Sequence, residues 1–298
     1  MQPTTAAAAQ ESSGGAPDED DSGAFGSTSG PEGTRLDLPH IDPDGYVPMG
    51  CEKVDFLFVV DNSDSMRGHQ ESLRASFPGF IETVESTLEE VTSYHLGVVT
   101  TDAYEFNLDE QRCREVGGLV TRTGGANSSD ALCGPYAEGH NFMTELDDLS
   151  TAFSCAASVG TDGDPNEAPV FAMTRVITGD LDGAGECNEG FLREDALLVV
   201  VLLTDCGTFG PPGGSPQDWF DLIVGAKTYW QNVVVVSVIE QSDSAQNKEV
   251  DGRRLAEFTE MFQDNGLVGD VAEPDYSPLF AEAVGRISLA CDAFVPPA

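Results

Sequence analysis

The sequence predicts a doubly wound α/β domain, and three observations carry that prediction. Three runs are apolar almost without interruption: Val54–Val60, Ala196–Thr204 and Val233–Ile239. Runs without polar alternation suit strands covered on both faces, as in a parallel sheet. Segments of helical periodicity separate them, the pattern of strand–helix–strand units. Two of the runs also end in a carboxylate, Asp61 and Asp205. Open α/β sheets place ligands at the carboxyl ends of their strands.

Taken in order, residues 1–50 are Gly-, Ser-, Pro- and Asp/Glu-rich, and Arg35 is their only Lys or Arg. Such a segment cannot bury enough apolar surface to offset its chain entropy, so a flexible acidic tether is expected. The folded domain is expected over 51–293, with a short tail at 294–298. After the first strand, Leu73, Phe77, Ile81, Val84 and Leu88 recur at helical spacing. Pro78 and Gly79 predict a kink or break there. Tyr94–Thr100 reads as the second strand. Residues 101–145 read as a loop insertion, with a short edge strand at Gly118–Thr123 and a closing bridge between Cys113 and Cys133. A helix is expected over Leu146–Ala157. The polar turn Val159–Glu167 leads into an apolar helix, Val170–Ile177, capped by Asp164 or Asn166. Gly179–Gly190 is an acidic, Gly-rich loop. Helices follow at Ser215–Tyr229, Arg253–Phe262 and Ser277–Ala290, with a weak strand at Leu267–Val271. No internal repeat is present.

Composition narrows the function. The 298 residues are 40% hydrophobic, enough for a sizeable core. Against 14 basic residues stand 52 acidic ones, a net charge of −38. So acidic a chain repels phosphate backbones and anionic headgroups, which argues against nucleic acid and membrane-surface partners. No apolar stretch reaches the about 18 residues of a membrane span. Seven cysteines occur without a C-x-x-C pair: Cys51, Cys113, Cys133, Cys155, Cys187, Cys206 and Cys291. Scattered cysteines predict disulfides and an oxidising compartment, with one thiol left over. Export is therefore expected. Residues 1–12 have neither a basic start nor an apolar core, so a leader would lie outside this numbering.

The chemistry concentrates at Asp61-Asn62-Ser63-Asp64-Ser65. Asp61, Ser63 and Ser65 offer oxygen at alternate positions, the donor type that hard divalent cations prefer. The plainer alternative is a turn and helix cap, where Asp and Ser are also common. Asp205 would arrive at the same sheet edge, and Thr161 lies in a loop that could reach it. Two carboxylates and three hydroxyls suit a six-coordinate hard cation, magnesium above all, with calcium or manganese as alternatives. Both carboxylates are expected in water-accessible turns, which favours metal binding over acid–base catalysis. Asp180, Asp182 and Glu186 lack the closing Glu of a calcium loop and read as a solvated acidic loop. Gly207–Gly214 lacks the Gly-Lys-Ser/Thr ending of a phosphate loop. Its place beside Asp205 suits the rim of a docking site. His40, His69, His95 and His140 show no metal spacing.

These residues resemble the von Willebrand factor type A domain. Asp61-x-Ser63-x-Ser65 after an apolar strand looks like that family's metal-ion-dependent adhesion site. Leu202-Leu203-Thr204-Asp205 looks like its later metal-site strand. The resemblance runs from about Lys53 to Cys291. It implies a six-stranded, mostly parallel sheet with one short antiparallel edge strand. It implies Ser63 and Ser65 as direct ligands, with Asp61 and Asp205 direct or through water. It also implies a threonine that alternates with the ion's state, and a partner carboxylate that completes the coordination. One departure concerns the threonine: Thr161 sits well before the expected helix start at Glu167, and Asn166 stands in the pre-helix place instead. Thr161 is the expected ligand and Asn166 the alternative. The same fold brings the first strand's start near the last helix's end, which implies a Cys51–Cys291 bridge. Cys155, Cys187 and Cys206 stay unassigned; Cys206 would be either a bridge beside the site or a buried thiol.

More narrowly, Cys51–Met66, Gly190-Phe191-Leu192-Arg193 and Pro274–Pro278 resemble exported bacterial members. Those are often lipoproteins with a Ser/Gly-rich tether, so a lipid anchor upstream is a further expectation. The function expected is a non-enzymatic, metal-dependent protein-binding or adhesion module at the cell envelope or beyond. Its partner would offer an acidic residue to the metal. The alternatives are a structural member with a vestigial site and a metal-dependent hydrolase. The hydrolase is disfavoured because Ser63 stands where a second Asp is needed and no lysine sits at a strand end.

Overall fold

The computed structural model describes residues 50–88, 90–165, 167–205, 213–241 and 249–297. The expected tether, His40, Asn166, Cys206 and residues 207–212 of the rim loop lie outside the described residues. The strands are β1 (Lys53–Val60), β2 (Ser93–Thr100), β3 (Met143–Thr144), β4 (Leu197–Thr204), β5 (Val233–Ile239) and β6 (Gly266–Asp270). They form one sheet in the order β3-β2-β1-β4-β5-β6. All pairs are parallel except β2 with the short edge strand β3. The chain leaves β1 toward β2 on one side and later places β4 on the other. The strand order therefore reverses between β1 and β4, where doubly wound sheets open a crevice.

The helices are α1 (Arg67–Thr87), α2 (Leu149–Ala156), α3 (Pro169–Ile177), α4 (Pro216–Lys227), α5 (Glu249–Glu260) and α6 (Ser277–Asp292). Successive strand side chains point to opposite faces, so one apolar run feeds two cores. Phe56 and Phe58 of β1 join α1, α2 and α6 on one face. Leu57 and Val59 join α3, α4 and α5 on the other. This double burial explains the lack of alternation in β1, β4 and β5. Ser215 caps α4 in a capping box with Asp218, which fixes where that helix starts.

The acidic residue inside β1, Asp55, is fully buried. It accepts from the Arg193 backbone N–H at 2.8 Å and from Arg193 Nε at 2.7 Å. Lys227 Nζ, also fully buried, lies 3.7 Å from the second carboxylate oxygen. Lys227 donates to the Arg193 and Ala196 carbonyls. Desolvation pushes its ammonium below the usual lysine range, while Asp55 opposes that shift. A buried carboxylate is tolerable only with such partners.

Three expectations are corrected. The helix α1 runs unbroken through Pro78. Pro78 and Gly79 are exposed, whereas Phe77 and Phe80 on either side are buried. An interior proline costs about 3 kcal/mol, and burying two phenylalanines gains about as much or more. The edge strand is Met143–Thr144 rather than Gly118–Thr123. Val120 N–H does reach the Val98 carbonyl, at 2.8 Å, but Gly118–Thr123 forms no ladder, only an isolated bridge from Arg122 to Leu132.

The third correction concerns the cysteines. Cys51 pairs with Cys291, but Cys113 pairs with Cys187 and Cys133 with Cys155. Cys113 and Cys187 are buried with the α3–α4–α5 core, while Cys133 packs against the opposite core. A Cys113–Cys133 bridge would have to cross the sheet edge. Inside the insertion, buried Asn107 takes the place of a regular element. Its amide donates to the Cys113 and Leu119 carbonyls, both at 2.9 Å. Its carbonyl accepts from Thr121 and Arg122. After α6, Phe294 is buried and Val295 N–H donates to Asn232 at 2.9 Å, so the expected tail begins packed on the domain.

Candidate functional site

Register brings the site together. Val60 pairs with Leu203 across β1 and β4. Asp61 extends that ladder, its N–H donating to the Leu203 carbonyl at 3.0 Å. Asp61 and Asp205 therefore leave the sheet at neighbouring strand ends, as expected. Asp61 is fully buried rather than water-accessible. Its Oδ1 accepts from Ser63 N–H at 2.8 Å, and its Oδ2 accepts from the Thr204 hydroxyl at 2.6 Å. Burial raises its pKa above the ordinary aspartate value; the Thr204 and Ser63 hydrogen bonds oppose the shift and the Asp205 charge adds to it.

Ser63 and Ser65 follow in the turn, with hydroxyl oxygens 3.4 Å apart. Ser63 is buried and Ser65 exposed, so the pair leads from the interior outward. Gln70 of α1 fastens this turn to the loop between α2 and α3, the middle loop of the site. Its amide donates to the Asp61 carbonyl at 2.9 Å and the Gly160 carbonyl at 2.8 Å.

Thr161 is buried in that middle loop, but the insertion holds it. Its N–H donates to the Ala126 carbonyl at 2.8 Å. Its hydroxyl accepts from Asn127 Nδ2 at 2.8 Å and donates to the Ala126 carbonyl at 3.5 Å. Gly160 precedes it at φ +83°, and a Cβ there would stand 2.7 Å from the Ala126 carbonyl. Only glycine suits both the backbone and the approach.

Sequence reasoning missed two carboxylates. Glu167 is fully buried, and its Oε2 accepts from the Thr101 hydroxyl. Burial raises its pKa to about 10, with the charges of Asp61, Asp102, Asp164 and Asp205 adding to the shift. Asp102, just past β2, accepts from Asn62 Nδ2 at 3.0 Å and from Asp164 N–H at 2.8 Å. Burial raises its pKa as well, against those hydrogen bonds. The only hint in the sequence was the acidic run Asp162–Glu167 before an apolar helix.

Two buried oxygens, Glu167 Oε1 and Asp205 Oδ1, have no hydrogen-bond partner among the described residues. Buried polar atoms without partners are rare and point to an absent water or ion. A divalent cation fits that need and suits this oxygen-only donor set. Among the described residues no three His, Cys, Asp or Glu side chains form a ready metal-holding group. Hydroxyls would therefore have to share in holding an ion.

Other acidic residues and two of the histidines are engaged elsewhere. Asp180 pairs with Arg175 at 3.1 Å and Glu186 with Arg112 at 2.7 Å. Asp182 accepts from Gly190 N–H at 2.8 Å. His95 Nδ1 lies 2.8 Å from the Phe191 carbonyl, and His140 stacks on Phe142.

No protein family profile matches the chain, and no curated protein matches it. Solved structures do. Proximal thread matrix protein 1 from the mussel byssus is 14% identical with a TM-score of 0.42, over 80% of this chain and 48% of that one. A D319A mutant of the PilB minor pilin from Streptococcus sanguinis is 12% identical with a TM-score of 0.43, over 84% and 64%. The pilus adhesin SpaC from Lactobacillus rhamnosus GG, in an open conformation, is 13% identical with a TM-score of 0.49, over 80% and 30%. This chain thus spans less than two thirds of each of these longer proteins.

Proposed function

We propose that this chain is an exported, non-enzymatic binding module that grips a protein partner through a divalent cation, magnesium in the first instance. The observation that carries the reading is Asp205 Oδ1, unpartnered among the described residues, just past the end of β4 and beside the strand that leads to the buried Asp61. Asp61, Ser63, Ser65 and Asp205 would hold the ion, with Thr161 and Asn166 as the expected loop donors. Bound there, the ion supplies a positive centre for an acidic side chain of the partner. Asp64 in the turn and Asp162 and Asp164 in the middle loop are exposed. They favour a partner whose acidic residue is set among basic ones. Three disulfides agree with an oxidising, extracytoplasmic setting, at the cell surface or in the envelope; a lipid anchor upstream belongs to the same proposal. No described helix is long and apolar enough to cross a membrane.

A von Willebrand factor A-like scaffold with a vestigial site is the second reading. One observation favours it: Asn127 and Ala126 already engage the Thr161 hydroxyl.

Calorimetric titration of magnesium, calcium and manganese into chelator-stripped protein separates the two. The binding module requires saturable uptake that Asp61→Ala and Asp205→Ala abolish. It then requires that a basic peptide with a central aspartate bind the loaded protein and be released by chelator. Absence of cation uptake by the native chain leaves the vestigial scaffold.

A further inference from the structure

The middle loop carries two candidate oxygen donors, the Thr161 hydroxyl and the Glu167 carboxyl, and their situations differ. The Thr161 hydroxyl has spent its proton on the Ala126 carbonyl and one lone pair on Asn127. A hydroxyl offers one donor and two acceptor sites, so a single lone pair remains. Its N–H is also fixed to Ala126, and the neighbouring Asp162 carboxylate accepts from Ala126 N–H at 2.7 Å. Thr161 is thus bound to the insertion from both its backbone and its side chain.

Glu167 is placed differently. Thr101, one residue beyond β2, holds only Oε2. The same Thr101 hydroxyl lies 3.3 Å from Asn62 Oδ1, and the Thr101 carbonyl accepts from Ala168 N–H at 3.1 Å. The carboxylate is therefore fixed beside the turn that carries Asp61, Ser63 and Ser65. Its other oxygen, Oε1, is buried and lacks any hydrogen-bond partner among the described residues. The unpartnered Asp205 Oδ1 belongs to the neighbouring strand end. A buried carboxyl oxygen with no partner is costlier than a hydroxyl whose bonds are nearly complete.

We propose that Glu167, and not Thr161, is the middle loop's oxygen donor to the cation, acting directly or through one ion-bound water. The proposal rests on the cation site described above and changes its composition. Asp61, Asp205 and Glu167 are its carboxylates, Ser63 and Ser65 its hydroxyls, and Thr161 belongs to the scaffold that holds the loop. Because no three acidic side chains stand ready around one point, at least one carboxylate reaches the ion through water. Thr101 is the positioning residue, since its hydroxyl directs Oε1 away from itself.

The test is calorimetric titration of magnesium, manganese and calcium into the full chain and its Glu167→Gln and Thr161→Ala variants. Gln keeps the size of Glu and the Thr101 hydrogen bond, and circular dichroism in chelator checks that each variant folds. Glu167→Gln is expected to bind at least about 10–100-fold more weakly, the loss typical when even a residue acting on a metal through an intermediary is altered. Thr161→Ala is expected to bind nearly as well as the native chain. A purely structural Glu167 would alter melting in chelator without altering cation affinity. Native-like affinity in Glu167→Gln, or an equal loss in Thr161→Ala, overturns the assignment while leaving the cation site standing. Absence of binding by the native chain overturns both.

Discussion

Asn127 of the insertion donates its side-chain amide to the Thr161 hydroxyl of the middle loop at 2.8 Å. The two residues are joined across 34 positions of sequence, and the contact is one of several. Thr161 N–H donates to Ala126, Ser129 N–H donates to the Ser158 carbonyl at 3.1 Å, and Gly160 fits only against Ala126. The insertion therefore straps the loop that closes the site. Asn127 itself sits at φ 60°, a conformation that asparagine adopts more readily than most residues.

Asn127→Ala should cost about 1 kcal/mol, the net worth of a neutral side-chain hydrogen bond, with a further strain from the left-handed backbone. Urea unfolding measures this loss. Asn127→Gly removes the same hydrogen bond without the strain and should cost less. Equal losses in the two variants would show that the backbone strain does not matter.

The metal-free protein should lose stability as pH rises, and Glu167 should account for part of the slope. Its folded pKa is raised to about 10 from 4.5, chiefly by burial and then by the neighbouring carboxylates. Between those values the folded chain keeps the proton and the unfolded chain releases it. Stability is then fully present below the unfolded pKa and falls as pH climbs through the window. One such group contributes a slope of at most about 1.4 kcal/mol per pH unit. In chelator, Glu167→Gln should melt higher than the native chain at pH 8, and the gap should narrow toward pH 5. A gap that does not change with pH would sink this account.

The legible parts of this fold were those written locally. β1, β4 and β5 are buried on both faces, so each appears as an apolar run. Asp61, Ser63 and Ser65 lie within one turn, and their spacing survives in the sequence. Glu167 and Asp102 were hidden because β2 and α3 deliver them from distant positions to one place. The Pro78 expectation followed local propensity, which the anchoring of Phe77 and Phe80 overrides. The cysteine pairing depends on which face of the sheet each end of the insertion packs against, and spacing along the chain carries no record of that.

The Arg193–Asp55 contact at the other end of β1 should be a major support of the fold. Arg193 is mostly buried, and its guanidinium also donates to the Ser93 hydroxyl at 2.7 Å and the Val54 carbonyl at 3.1 Å. Arg193→Met removes one of two cations from a buried carboxylate. The cost should be about 3 kcal/mol, the lower end for a broken buried pair, because Lys227 remains. Pairing it with Asp55→Leu should restore much of the loss, since an apolar replacement needs no counter-charge. Denaturant melts of the single and double variants decide whether the two changes are coupled or simply add.

The two bridges of the insertion should act on different parts of the molecule. Cys133–Cys155 closes a separation of 22 residues and Cys113–Cys187 one of 74. Chain-entropy arithmetic assigns about 3 kcal/mol to the first and about 4 kcal/mol to the second. By stability alone the longer bridge matters more. By position the shorter one matters to the site, because Cys155 lies beside Ser129, whose hydroxyl donates to the Cys155 carbonyl at 3.1 Å. Replacing Cys133 and Cys155 with serine should therefore raise amide exchange at Thr161 and Ser129, which depend on the strap. Replacing Cys113 and Cys187 should lower global stability further while leaving those two amides protected relative to it. Hydrogen exchange read residue by residue distinguishes the cases, and equal deprotection of Thr161 by both pairs would show that the strap is not held by its nearest bridge.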